Sequence, residues 1–493
     1  MTLATTQKLA NPRDRHGLEP GSLADGRDDD IVDWDGPEDP SNPLNWPARK
    51  RFGHVVIVSL LSMMVNTAAT IIAPGIKLTI IEFKVTNMTL ATLSVSIYLL
   101  GFGLGPLTLS PLSERWGRLV VYHVCNIIFF VFVIGCAVSQ NITQFIIFRV
   151  ISGIVGSAPL AIGGGTIADC IPSEQRGVAG AIYGLGPIMG PVIGPIMGGF
   201  IAQGKGWRWT FWVLSIMSGV MSVVTFVFMR ETHAQTLLER KAARLRRDTG
   251  NPHLQSKLKS PLRPSQLAVA TLVRPIKMLI FSPVVLILSV YVAFVMGLLY
   301  LLFATFSGVF VGQYGFTMGT SGLAYLGLGI GEMLGVVVFG ALGDKIVASR
   351  TAAENLGTAR PEFRLVLMKW FAICIPVGLF IYGWTAYYKV HWFVPILGTA
   401  LVGFGSLFVI VCVQIYLVEI FGTEAAASAL ATNILLRSVA GAFLPLAGVP
   451  MYEALNYGWG NTLLGMLALA FVPAPVMLYK YGEKLRQAFP IEL

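Results

Sequence analysis

Twelve apolar runs, each long enough to cross a bilayer, leave this chain few ways to fold. Crossing about 30 Å of hydrocarbon takes around 20 helical residues. Runs of that kind stand at roughly 53–74, 89–112, 119–139, 144–168, 178–202, 209–229, 283–310, 320–342, 365–386, 392–417, 427–450 and 460–480. Inside hydrocarbon each backbone polar group must be satisfied within the spanning structure, so these runs predict membrane-spanning helices. Composition agrees, because only 13% of the residues are charged where a soluble domain carries about 25%. The 53 glycines sit largely in the apolar runs, where they let helices approach closely.

Six runs precede a long polar stretch and six follow it. This predicts an all-α integral membrane protein of twelve transmembrane helices in two six-helix halves. The expected parts are a cytosolic tail at 1–52, a first half at 53–229, a cytosolic central loop at 230–282, a second half at 283–480 and a cytosolic tail at 481–493. With the N-terminus in the cytosol, 29 of the 36 Lys and Arg fall in or beside inner segments, five in outer loops and two within spans, as the positive-inside rule requires. The basic run around Arg240–Arg247 then needs no nucleic-acid partner. The polar start argues against a cleaved signal peptide. The two N-x-[ST] sequons, at Asn87 and Asn141, fall in outer loops and are candidate glycosylation sites. Cys125, Cys136, Cys170, Cys374 and Cys412 show no metal spacing and read as small buried hydrophobes.

Several residues stand out inside the spans. The fifth run carries glycine at 186, 190, 194 and 198 and proline at 187, 191 and 195. Glycines four apart make a side-chain-free ridge, and each proline removes a backbone donor. The pattern suits either a tight helix contact or a mechanical element, a hinge or a seal between the halves. Arg149, Glu332 and Arg437 place charge at bilayer depth, where it costs at least ~2.5–3.5 kcal/mol on insertion scales. Arg149 either snorkels or meets a specific partner. Arg437 either binds nearby carbonyls or faces a cavity. Glu332 is either a packing acid or a group that takes up and releases a proton. Asn66, Gln414 and Asn433 are candidate cavity residues, or else interhelical hydrogen bonds. Tyr291, Tyr300, Phe303 and Phe306 form an aromatic set on the seventh run, suited to an apolar ligand or to packing. After the second run stand Glu114, Arg115 and Arg118; after the eighth stand Asp344 and Lys345, an acid and a base at the matching place of the second half.

These residues resemble the major facilitator superfamily, and within it the fungal twelve-span drug:proton antiporters. The stretch Ser110-Pro111-Leu112-Ser113-Glu114-Arg115-Trp116-Gly117-Arg118-Leu119 is similar to the superfamily loop motif Gly-x-Leu-x-Asp-Arg-x-Gly-Arg-Lys, with departures at Ser110, Glu114 and Leu119. The resemblance implies an inner-gate role for Glu114, Arg115 and Arg118. Arg149 and Gly153 match Arg-x-x-x-Gly, whose arginine is linked in the family to proton coupling. Gly190, Gly194, Pro195, Gly198 and Gly199 match the antiporter motif, associated with exporters. The stretches Trp34–Trp46, Ser428–Ser438 and Met451–Glu453 look like the fungal group. Glu332 matches no motif.

The resulting expectation is a proton-coupled antiporter that exports a hydrophobic or amphipathic small molecule, such as a drug, toxin or secondary metabolite. Proton coupling is expected at Arg149 and Glu332. The inner gate comprises Glu114, Arg115, Arg118, Asp344 and Lys345. The substrate cavity takes in Asn66, Tyr291, Tyr300, Gln414, Asn433 and Arg437. The expected membrane is the plasma membrane, with the vacuolar membrane as alternative, and the working unit is a monomer in the lipid bilayer. No metal or other cofactor is expected, and no ATP-binding G-x-x-x-x-G-K-[ST] occurs. One rival is a proton-coupled importer or facilitator of a nutrient or organic acid. A remoter rival is a membrane enzyme or receptor, which the scattered six histidines do not favour.

Overall fold

The computed structural model describes residues 30–258, 264–354 and 360–489. The ends of both expected tails and the middle of the central loop lie outside the described residues. The first half contains α1 (Ala48–Thr70), α2 (Ile76–Glu82), α3 (Met88–Trp116), α4 (Arg118–Val138), α5 (Ile142–Gly156), α6 (Ala158–Cys170), α7 (Arg176–Lys205) and α8 (Arg208–Phe228). Two helices follow in the central loop, α9 (Ala234–Thr249) and α10 (Pro264–Phe281). The second half contains α11 (Pro283–Tyr314), α12 (Met318–Leu323), α13 (Tyr325–Ala353), α14 (Leu365–Phe371), α15 (Cys374–Tyr387), α16 (Phe393–Phe443), α17 (Gly448–Phe471) and α18 (Pro473–Ala488).

Eleven helical stretches among the described residues are long and apolar enough to cross a membrane. The last runs over 64 residues, Ala425–Ala488, or roughly 96 Å at 1.5 Å per residue. That is about three bilayer cores, so it must turn back. It breaks at Asn456 (φ 55°, ψ 179°), a residue type that tolerates positive φ. The Asn456 side chain then accepts from the amides of Gly458 and Trp459, capping the next helix. Likewise α16 is two spans divided at Gly422 (φ 65°), where glycine carries no side-chain penalty. The count is therefore twelve spans.

Burial follows the duplication. The apolar windows of the first and seventh spans are each 72% buried, while that of the sixth is only 28% buried. α1 and α11 thus lie inside, and α8 shows Ile216, Val220, Val223 and Val227 outward at helical spacing, an apolar face suited to lipid. Asn87 and Asn141, the sequon asparagines, cap α3 and α5 through the Thr89 and Gln144 amides.

At the tail end of the bundle, the segment before α1 is folded onto the central loop. β1 (Ile31–Val32) pairs in parallel with β2 (Gln255–Ser256). Lys241 reaches the Asp35 carboxylate at 2.5 Å and Lys257 reaches Asp33 at 2.5 Å. Asp39 is buried and accepts from the Asp35 and Ser41 amides. Backbone hydrogen bonding holds its carboxyl below the usual carboxylate range.

Candidate functional site

The glycine ridge of α7 lies against α1, in its own half. A Cβ at Gly186 would strike the Ser59 carbonyl, at Gly190 the Asn66 side chain, at Gly194 the Thr70 hydroxyl and at Gly198 the Ile71 carbonyl. The prolines complete the contact. A proline cannot donate to the carbonyl four residues back, so Pro187 and Pro195 leave the Tyr183 and Pro191 carbonyls without their helical donors. Ser59 donates to Tyr183 O at 3.3 Å and Thr70 to Pro191 O at 3.2 Å. Another face of α7 meets the second half. A Cβ at Gly199 would meet the Met318 carbonyl, and one at Gly322 the Pro195 carbonyl, both across to α12 of the second half.

Arg149 does not snorkel. It is 1% exposed and donates to the carbonyls of Ala68, Ala69 (3.0 Å) and Val95 (2.8 Å), with its guanidinium 4.7 Å from the Tyr98 ring. Ala68 and Ala69 lie in the last turn of α1, where carbonyls lack intrahelical donors and a cation complements the helix dipole. Gly153 makes the reach possible, since a Cβ there would strike the Tyr98 carbonyl and push α5 from α3.

A second group of polar side chains stands where the halves face each other. Arg437 is 9% exposed and has no hydrogen-bond or ion-pair partner among the described residues. It lies within electrostatic range of Tyr300 on α11 and Tyr183 on α7. Tyr300 also feels Arg149 and Glu332, so its phenol sits among the three charged groups. Glu332 is half-buried and likewise has no partner among the described residues. Among the described residues, Asn433 is wholly buried with both amide atoms unpaired, and Gln414 is half-buried with no hydrogen-bond partner.

Other expected cavity residues are placed differently. Asn66 is bonded to Ser62 O of its own helix at 2.8 Å. Tyr291 is packed away, 1% exposed and stacked on Phe471 at 5.0 Å. Phe303 and Phe306 pack on Tyr325. These three aromatics are core residues, because α11 is buried nearly all round.

Contacts between halves gather toward the end of the bundle opposite the tails. Ser96 donates to Ala442 O at 2.6 Å, and the Gly319 amide donates to Gln203 at 2.7 Å. At the tail end, charges pair within each half. Arg118 meets Asp169 at 3.3 Å, and Arg364 meets Asp344 at 2.7 Å and Glu419 at 2.8 Å. Glu114, Arg115 and Lys345 are exposed and form no ion pair among the described residues. The expected inner-gate set is thus gathered at one end but not joined across the halves. Between α7 and α13 lies an apolar groove lined by Met189, Val192, Ile330 and Met333. At the opposite end a cavity of about 690 Å³, lined by Lys77, Val95, Gln313, Tyr452 and Glu453 among others, lies between the halves.

Sequence reasoning missed Glu231. It is 5% exposed, and its carboxylate accepts from the Arg118 and Leu119 amides at the start of α4 and from the Thr232 and His233 amides, a carboxylate on a helix N-terminus. Gly117 (φ 94°) supplies the close approach. The signal was an acid immediately after the sixth span. Burial and Arg118 nearby also depress the His233 imidazole, to about 4.

The family model for the Major Facilitator Superfamily matches residues 55–445. The chain is 54% identical over 466 residues to "MFS transporter fsa7" of Fusarium sp. (strain FN080326), covering 94% of this chain and 91% of that one. It is 49% identical over 463 residues to the "Trichosetin biosynthesis cluster MFS transporter" of Gibberella fujikuroi (strain CBS 195.34 / IMI 58289 / NRRL A-6831), covering 94% and 90%. Among solved structures, the proton:xylose symporter XylE bound to 6-bromo-6-deoxy-D-glucose aligns with TM-score 0.64 at 17% identity, covering 90% of this chain and all of that one. At that identity the likeness speaks for the fold.

Proposed function

This chain belongs to the Major Facilitator Superfamily, a membrane transporter and not an enzyme, and on that premise we propose that it exports a hydrophobic or amphipathic small molecule in exchange for protons. The observation that carries the reading is Glu332, a half-buried carboxyl on α13 with no partner among the described residues and within range of the Tyr300 phenol. An ionisable group at bilayer depth without a fixed partner suits uptake and release of a proton. The match of Gly190, Gly194, Pro195, Gly198 and Gly199 to the exporter motif supports the direction. A relative described by a biosynthesis cluster supports a metabolite as cargo.

In this reading both tails are cytosolic and the membrane is the plasma membrane. The halves rock about the central polar group. The contacts at Ser96–Ala442 and Gln203–Gly319 join the halves on the outer side, beside the cavity there, while charges at the tail end pair within each half. Cargo enters from the cytosol, and the contacts through Gly199 and Gly322 open to release it. A proton arriving from outside neutralises Glu332 and permits return. Arg149 positions α1, α3 and α5 around the site rather than meeting the cargo.

The test is efflux from vesicles under an imposed pH gradient. Glu332→Gln should abolish gradient-driven efflux yet retain substrate exchange. Full gradient-driven activity in this variant would remove Glu332 as proton carrier, and gradient-driven accumulation by the native chain would establish the importer reading instead.

A further inference from the structure

We propose that the cargo carries an anionic head beside its apolar body, and that Arg437 and Asn433, one turn apart on α16, receive that head. The inference rests on the transport reading above and adds the substrate's chemistry.

The two buried arginines differ in one respect. Arg149 spends both terminal nitrogens on three backbone carbonyls and leaves only Nε unpaired among the described residues. Arg437 is also nine-tenths buried, yet none of its five N–H donors finds an acceptor among the described residues. Its nitrogens are not sealed from accessible space, so the guanidinium is open to an acceptor that comes and goes. Asn433 precedes it by four residues and therefore shares its face. It is wholly buried, and both its amide nitrogen and its amide oxygen are unpaired among the described residues. Such groups are rare in a finished core.

The charges near by favour an anion. Arg437 feels the neutral phenols of Tyr300 and Tyr183, one from each half. Glu332 acts on Tyr300, but it makes no ion pair with Arg437. Two guanidinium groups against one carboxyl leave the centre positive, and a carboxylate or enolate would balance it. Such a head accepts the planar fork of Arg437 in two parallel hydrogen bonds and a third from Asn433 Nδ2. Around it the surfaces are apolar: Leu99, Met296 and Tyr300 crowd Gly441, one turn along α16. An acid with a hydrocarbon body matches both parts.

The experiment uses the full chain in lipid nanodiscs and three probes that share an octyl chain: octanoate, octyltrimethylammonium and 1-octanol. Calorimetric titration is corrected with empty nanodiscs. Octanoate should bind saturably and more tightly than either other probe. Arg437→Gln should weaken it roughly tenfold or more, the worth of a charge-assisted hydrogen bond. Asn433→Asp keeps Arg437 but sets a carboxylate one turn away, and should weaken octanoate by a similar factor. Absence of saturable octanoate binding, a preference for the cation, or unchanged affinity in both Arg437→Gln and Asn433→Asp would overturn the proposal. Transport direction is read separately in vesicles. Anion binding with accumulation would refute export alone, and efflux of a cationic or neutral compound without anion binding would refute the anionic head alone.

Discussion

The hydroxyls that α1 offers to α7 give a sharp test of how a proline-rich helix is held in a membrane. Thr70→Val keeps the shape of the side chain but removes the donor to Pro191 O, now 3.2 Å away. That carbonyl has no helical donor, because Pro195 stands where its amide would come from. The loss is therefore an unsatisfied buried acceptor, about 1–3 kcal/mol, and membrane measurements of interhelical hydrogen bonds place it near the lower end. Pro195→Ala returns an amide four residues on, which can bond Pro191 O within the helix. In that background Thr70→Val should cost several tenths of a kcal/mol at most, leaving a coupling of about 1 kcal/mol between the two positions. The assay is a double-mutant cycle on unfolding of the purified chain in mixed micelles. Equal cost of Thr70→Val in both backgrounds would refute the reasoning, and the hydroxyl would then be ordinary packing.

Other outcomes follow from neighbouring contacts. Gly194→Leu should reduce the amount of folded protein, because its Cβ meets Thr70 and the Thr67 carbonyl inside the first half; expression at native levels would contradict this. Gly199→Ala meets α12 of the other half instead, so it should leave folding intact and slow transport by opposing the joined state, read as efflux per folded molecule. Asp39 and Asp33 are held below the usual carboxylate range, Asp39 chiefly by backbone amides and Asp33 chiefly by Lys257. Their stabilisation of the tail clamp is thus complete above the ordinary carboxylate pKa and lost as pH falls through the lowered value. Protection of the Asp35 and Ser41 amides against hydrogen exchange should hold through the ordinary carboxylate range and fall as pH passes the lowered value, and Asp39→Ala should reduce it at neutral pH; unaltered protection in that variant would dismiss the clamp. Cysteines placed at Asn87 and Asn141 should react with an impermeant thiol reagent on intact cells, and one at Arg246 only after permeabilisation, or the assigned orientation is reversed.

Glycine and proline show where local pattern suffices and where it stops. The spacing of Gly186, Gly190, Gly194 and Gly198 specifies a helix face without side chains, since helical periodicity is a property of the backbone alone. It does not name the partner. Only the packed structure sets that face on α1 and leaves Pro195 and Gly199 for the other half, because which helix fills a groove depends on the whole bundle. The same division holds for the charges. Arg149 and Arg437 look alike in the sequence, each a cation in an apolar run.

The sequence by itself determined the solvent, the twelve crossings and the pairing of two halves, since each follows from run length and hydropathy against a slab of known thickness. It also pointed to Glu332, because an acid amid apolar residues is conspicuous wherever it folds. Tertiary structure alone decided that Arg149 ends at the carbonyls of α1 and α3 while Arg437 ends at none among the described residues, that Tyr291 is core, and that Glu231 caps α4 from 113 residues away. Hydrogen bonds act within about 3 Å, and which groups come that close is fixed by chain segments far apart in sequence, so no local reading of residues can supply it.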